Sequence, residues 1–411
     1  MTTTDMLDPG SVDIADPHLH SQGDLHPVWR WLRRNDPVRW TVRPNGVAYW
    51  SVTTHAEVVR VLRDSKTFSS EQGMRLGGDV RAAAAASRKM LIVTDPPRHG
   101  AIRRIISSAF TARTVHRLEQ NMRSTVTESL DRALENGTVD FVEAASRLPV
   151  AVICDLLGVP REDWDFMLDR TTVAFGAVDE DGSPADAAIE AHAEILLYYS
   201  ELVQERRREP REDVISALVQ GTVDGVPLSD EEIFLNCDGL ISGGNETTRH
   251  AAVGGVLALA ARPDQWRALQ AEPALLPSAV DEILRWTSPG AHTLRTATRD
   301  AELAGRHIEE GQQVVVWGPS ANRDESVFDD ADTFRIDRTP NRHVTFGHGA
   351  HYCLGGALAV SELKVLFEEL SRRVADIEVT GPVRRVRSNH IAGYDQAEVS
   401  LTPADGTGAH R

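Results

Sequence analysis

This chain of 411 residues has little cysteine, little aromatic content and no long apolar run. Its three cysteines, Cys154, Cys237 and Cys353, are too few and too scattered for a disulfide scaffold. Such sparse usage suits a reducing compartment, and a cytoplasmic location is expected. Nowhere do roughly 18 apolar residues follow one another, as a membrane-spanning helix requires. The first fifty residues are polar and broken by proline, so neither a membrane anchor nor a secretory leader is expected. Positive charge is also short: 44 Lys and Arg against 61 Asp and Glu leave a net charge of −17. Phosphate backbones are repelled by such a chain, which excludes nucleic acid as a partner. No Pro/Gly/Ser-rich linker or shift in composition divides the sequence. One domain over 1–411 is expected, with 1–15 and 404–411 as flexible tails.

What is present is mostly helical periodicity. Val38 to Val52 alternates like a hairpin around Asn45-Gly46, and a short helix follows over 54–64. Helical patterns run from near Pro97 to Phe110, then over about 113–136, 140–157, 161–175, 186–208 and 211–220. The longest spans 230–262, with Ser229 and Glu232 as a capping box and Pro263 as its stop. At 1.5 Å per residue it is roughly 50 Å long, enough to cross a domain. The expected fold class is mostly α with a minor β region: small sheets around a long central helix.

Three constellations carry chemistry. In Phe346-Gly347-His348-Gly349-Ala350-His351-Tyr352-Cys353-Leu354-Gly355, a cysteine sits in a glycine-rich turn ahead of a helical run, Gly356 to Leu370. Glycines 347, 349 and 355 can take positive φ and bring backbone N–H groups close to the sulfur, with Phe346 as an apolar shield. An isolated cysteine is commonly just a small buried hydrophobe; one held in this way suits an axial thiolate of haem, which favours O–O cleavage. Inside the long helix, Gly243-Gly244-Asn245-Glu246-Thr247-Thr248 accepts two glycines at about 1 kcal/mol each. Either another helix crosses there, or something needs room beside the backbone. Thr247 can bond back to a carbonyl one turn earlier. Glu282 and Arg285 are spaced to share a helix face and pair.

Together these segments resemble the cytochrome P-450 family, whose haem signature reads Phe-x-x-Gly-x-x-x-Cys-x-Gly. The resemblance runs from about Asp16 to Thr402. It implies a single-domain P-450 fold with haem b ligated at Cys353, Phe346, Gly349 and Gly355 shaping the ligand turn, and dioxygen as co-substrate. Thr247 and Glu246 are the implied acid–alcohol pair of oxygen activation, beside Gly243. His99, Arg103, Arg295 and His351 match the propionate-binding positions. Glu282, Arg285 and Arg338 match a structural network that fixes the loop leading to Cys353. Gly243, Arg335 and Val360 depart from the commoner family residues without touching these roles.

The implied activity is monooxygenation, by hydroxylation or epoxidation. Oxidative coupling, cyclisation or desaturation without oxygen retention stays open. A non-enzymatic haem-thiolate ligand-binding or sensor protein is the alternative outside enzymes, and the acid–alcohol pair argues against it. Gly239, Gly243 and Thr247 share one stripe of the long helix, beside the polar stripe Asp238, Ser242 and Glu246. With small Pro289, Gly290 and Ala291 next to His292 and Thr293, this predicts a roomy pocket for a bulky, partly polar natural-product substrate, either free or carrier-tethered. The resemblance implies a mobile entrance from Gly73 to Met90 and about Phe166 to Tyr199. It also implies electrons from NAD(P)H through ferredoxin reductase and ferredoxin, docking near Arg98, Arg103, Arg104, Arg113, Arg342 and Lys364. A monomer is expected.

Overall fold

A computed structural model describes residues 9–176 and 186–404. Alternation over Val38–Val52 folds as the expected hairpin: Val38–Val42 pairs antiparallel with Ala48–Val52, in register from Val38 opposite Val52 to Val42 opposite Ala48. Gly46 supplies the turn's positive φ of 82°. This hairpin extends into a five-stranded sheet through a parallel pairing of Ala48–Val52 with Gln313–Trp317. His292–Ala297 and Phe68–Ser69 complete it. A second sheet joins Val374–Arg385, Tyr394–Pro403 and Thr138–Asp140. The remainder is predominantly helical.

The central helix is Asp230–Ala260. Ser229 accepts from the Glu232 N–H while the Glu232 side chain accepts from the Ser229 N–H, so the capping box forms as expected. The helix stops two residues before the predicted end, because Arg262 precedes Pro263 and takes φ −140°, ψ 72°. From Thr248 to Val256 every residue is buried. Small residues mark where neighbours cross. A Cβ on Gly255 would meet Phe367 of the helix Gly356–Arg373 and Ile283 of the helix Leu276–Thr287. One on Gly244 would meet Ile153 of the helix Phe141–Leu157 at 2.5 Å. Burying these faces together supplies most of the fold's stability.

Residues 9–15 correct the expectation of a flexible tail through 15. Ile14 and Ala15 are buried, and Asp13 accepts from Tyr49 Oη at 2.9 Å and Arg43 Nε at 2.9 Å. Buried apolar surface and an ion pair anchor a segment that looks featureless in sequence. Residues 1–8 and 405–411 of the expected tails, and 177–185 of the expected entrance, lie outside the described residues.

Candidate functional site

The cysteine turn is held by close-packed backbone. Cys353 N–H donates to Phe346 O at 2.8 Å, closing the loop on itself. Gly347 and Gly349 take φ of 68° and 70°, and a Cβ on Gly349 would lie 2.7 Å from Leu62 O. Gly349 is therefore demanded twice, by conformation and by space. Gly355 differs from the expectation: its φ is −86°. It caps the following helix, and its N–H acts on the Cys353 sulfur. The Phe346 ring lies over Gly356, 3.4 Å from where a Cβ would stand.

Cys154 and Cys237 are fully buried and Cys353 alone keeps accessible surface. Yet Cys353 is enclosed enough that burial raises its thiol, opposed by the Gly355 N–H and the charge of Arg103. Accessible surface with so much protein around it describes a side chain on the wall of an internal cleft.

Gly243 is exposed, and a Cβ there would meet nothing within 4 Å. The adjacent glycines thus divide the two readings of their motif: Gly244 admits a crossing helix, whereas Gly243 faces open space. Thr247, one turn on, donates from Oγ1 to Gly243 O at 2.9 Å. Glu246 is turned elsewhere and does not hydrogen-bond Thr247. Arg249 Nη2 donates to its Oε1 at 2.5 Å, and His250 Nε2 lies 3.3 Å from Oε2. Burial opposes its charge, but the His250 hydrogen bond and Arg249 outweigh that and hold the carboxyl below its ordinary value.

The four charged candidates divide between two neighbouring arrangements. His99 and His351 lie with ring centroids 4.3 Å apart, their planes tilted by 49°, and His351 Nε2 lies 3.2 Å from Ser70 Oγ and 3.9 Å from Asp95. Burial, then the charges of His351 and Arg103, pushes His99 down to about 4, so it is neutral. Arg103 donates to Tyr352 O at 2.7 Å. Arg295 is 4% exposed, its one side-chain hydrogen bond being to Leu294 O at 2.8 Å. Burial pushes it down to about 10, with Asp95 opposing. Asp95, Ser69 and Ser70 belong to this cluster. No helical or strand spacing announces them: Asp95 comes from the loop before the helix Arg98–Ser107, and Ser69 and Ser70 from the end of the short strand Phe68–Ser69.

Glu282, Arg285 and Arg338 come together out of solvent. Arg285 makes two 2.7 Å bonds to the Glu282 carboxylate and Arg338 Nε adds a third at 3.1 Å. Both guanidiniums also donate to backbone carbonyls, Arg285 to Asn322 O and Ala331 O, Arg338 to Asp329 O and Thr333 O. Asn341 Nδ2 donates to Glu282 as well; its role was illegible in sequence.

Several pocket and docking expectations need correction. His292 is buried, with Nδ1 bonded to Asn389 O at 2.7 Å and Nε2 accepting from Leu76 N at 2.9 Å. Both nitrogens are committed, so it is not a pocket residue. Ala291 is 0% exposed, its backbone tied to His390 and Gly318; neighbouring Gly290 is the open position. Gly239 is covered: a Cβ there would stand 2.5 Å from Met90 Cε. Ser242 stays half-buried, its Oγ 3.4 Å from Gly239 O. Arg98 turns inward to Glu232, which removes it from a free basic patch, whereas Arg113 stays exposed with Glu212 3.4 Å away.

A haem offers two carboxylates and an iron that takes a thiolate. Arg103 and Arg295 outnumber Asp95, Arg295 is enclosed with no carboxylate in contact among the described residues, and Cys353 stands accessible with a donor at its sulfur. Gly243 leaves open space on the central helix. The donor set fits the group.

The Cytochrome P450 family model matches residues 182–373. Cytochrome P-450 NovI of Streptomyces niveus is 40% identical over 407 residues, 98% of this chain and 100% of that protein. Putative cytochrome P-450 126 of Mycobacterium tuberculosis is 41% identical, covering 98% and 99%. The crystal structure of P-450 OxyD superimposes with a TM-score of 0.88 at 39% identity, covering 96% and 100%. Other relatives are named monooxygenases. With the thiolate turn, the charged cluster and near-complete coverage agreeing, the chain belongs to the cytochrome P-450 family, and it is a haem-thiolate monooxygenase that uses dioxygen on small organic molecules.

Proposed function

We propose that this monooxygenase puts one oxygen atom into a bulky, partly polar natural-product scaffold, by hydroxylation or epoxidation. The observation that carries the reading is Gly243, which leaves the central helix bare beside Thr247. The OxyD structure is described as that of a protein involved in biosynthesis of vancomycin-type antibiotics, which supports a tailoring role.

Ligated by Cys353, haem supplies the activation of dioxygen. His99, Arg103, Arg295 and His351 would hold its carboxylates. Gly355 N–H stabilises charge on the sulfur. Thr247 Oγ1 donates to Gly243 O, leaving its lone pairs to order a proton-carrying water. Glu246, kept ionised by Arg249 and His250, takes a proton from solvent and swings it toward Thr247. Electrons come from NAD(P)H through a ferredoxin and its reductase in the cytoplasm. Arg104, Arg342 and Lys364, on segments around the thiolate turn, receive the acidic partner.

Turnover under isotopically labelled dioxygen tests the reading. One labelled oxygen in the product is expected, and an unlabelled product points to coupling or desaturation instead. Cys353→Ser is expected to abolish both product and the thiolate signature of the reduced carbon monoxide complex; retention of that signature overturns the ligand assignment.

A further inference from the structure

Arg75 has no part in the chemistry above, yet it is held with unusual care. Its two neighbours are both tied to the strand His292–Ala297. Leu294 N–H donates to Met74 O at 2.8 Å, and Leu76 N–H donates to His292 Nε2 at 2.9 Å. Gly78 N–H then turns back onto Arg75 O at 3.3 Å, with Gly77 at φ 78°. His292 thereby becomes a positioning residue: its Nδ1 is anchored on Asn389 O and its Nε2 fixes the backbone beside Arg75.

Arg75 shares the unusual combination found at Cys353. It keeps accessible surface, yet enough protein surrounds it that burial alone lowers its pKa. No carboxylate offsets it among the described residues. Its charge bears on His292 and His390, whereas Arg103 and Arg295 are the arginines acting on His99 and His351. Arg75 thus belongs to a cluster separate from the one that fits the haem carboxylates. The same cluster contains a second unmet group, His390 Nδ1, sealed from solvent and without a hydrogen bond. The segment that carries His390 is zipped to the open position at Gly290. Ala291 N–H donates to His390 O and Ala392 N–H to Pro289 O, each at 2.8 Å, and Gly290 bridges Ile391.

A guanidinium crowded by protein and without a counter-ion is unfavourable unless something anionic completes it. A planar fork on a fixed backbone matches a carboxylate better than any other common organic anion of the same charge. We propose that Arg75, together with His390 Nδ1, recognises a carboxylate on the substrate, which makes the substrate class an organic acid. This rests on the monooxygenase reading of the same cleft.

The test is binding to the haem-loaded enzyme, read by the spin-state shift of the haem and by calorimetry. The probes are 4-phenylbutyrate, 4-cyclohexylbenzoate and lithocholate, each compared with its methyl ester. At least one acid is expected to bind about ten- to a hundredfold tighter than its ester. In Arg75→Gln that preference falls to about twofold or less, and Arg75→Lys keeps part of it. Haem content is expected to stay unchanged in both variants. Three results overturn the proposal: no acid in the panel outbinds its ester, the preference survives Arg75→Gln, or the variant loses haem, which reassigns Arg75 to the haem carboxylates. A missing thiolate signature in the reduced carbon monoxide complex defeats the monooxygenase reading instead. The calorimetric comparison of acid with ester then still decides about Arg75.

Discussion

On the proposed reading the thiolate turn and the central helix contribute two walls of one site, and they are built on opposite principles. The turn is over-determined. Gly347 and Gly349 are set by backbone conformation, Cys353 N–H is bonded to Phe346 O, and the loop leading to it is fixed by Glu282 with two arginines. The wall on the central helix is defined by what each small residue fails to touch. Gly239, Gly243 and Gly244 look alike in sequence, yet one lies under Met90, one meets nothing and one receives Ile153. A ligand position can be built to tolerate little change, whereas a substrate wall can vary by moving one neighbour.

The sharpest way to break this comparison is to weaken the thiolate side at its most buried charge. Glu282→Gln leaves Arg285 and Arg338 without a counter-ion among groups that are almost wholly buried. The expected cost is about 3–5 kcal/mol in chemical denaturation, with haem lost at lower denaturant than in the parent. A cost below about 1 kcal/mol means the loop is held by its backbone bonds alone, and the contrast between the walls disappears.

Adjacent glycines on the other wall sharpen it. Gly244→Ala drives a Cβ into Ile153 Cδ1 and Cγ1 at 2.5 Å. Ile153 is branched and buried, so a loss of about 1–2 kcal/mol is expected. Gly243→Ala meets no atom and gains helix propensity of up to about 1 kcal/mol, so stability holds or rises. The same change narrows the cleft, and weaker binding of bulky ligands is expected in spectral titration. Equal stability losses at 243 and 244 contradict the division between open wall and crossing point.

These pairs also explain how much was legible in sequence. Caps, hairpin and long helix were readable because their causes are local: Ser229 with Glu232, Asn45-Gly46, Pro263. The thiolate turn was readable because its glycines answer to backbone conformation. His292 was misread because small neighbours suggested a pocket, while its real partners are Leu76, 216 residues away, and Asn389, 97 residues away. Arg75 and Met90 went unnoticed for the same reason. Nothing within a helical turn of either residue records that one is flanked by residues bonded to His292 and Leu294 and the other covers Gly239.

The tight pairing of the thiolate wall breaks at a buried carboxylate. Glu362, on the helix that follows Cys353, is 3% exposed and its Oε2 has no partner. Burial pushes its carboxyl up to about 8. The unfolded chain ionises this group in the ordinary glutamate range, while the folded protein keeps the proton. Below that range both states are protonated and Glu362 exacts nothing. As pH rises, the unfolded state releases its proton first and stability falls, by at most about 1.4 kcal/mol per pH unit. The fall ends once the folded carboxyl also ionises, near pH 8. Glu362→Gln removes this slope. Relaxation and water entry reduce the advantage to about 1 kcal/mol near neutrality, the smallest of these effects. Denaturation midpoints of the two proteins should converge at about pH 4–5 and separate toward pH 8, the variant being the more stable. Parallel midpoints across that range mean that Glu362 is ionised in the fold with a charge partner, and this break in the thiolate wall's pairing then disappears.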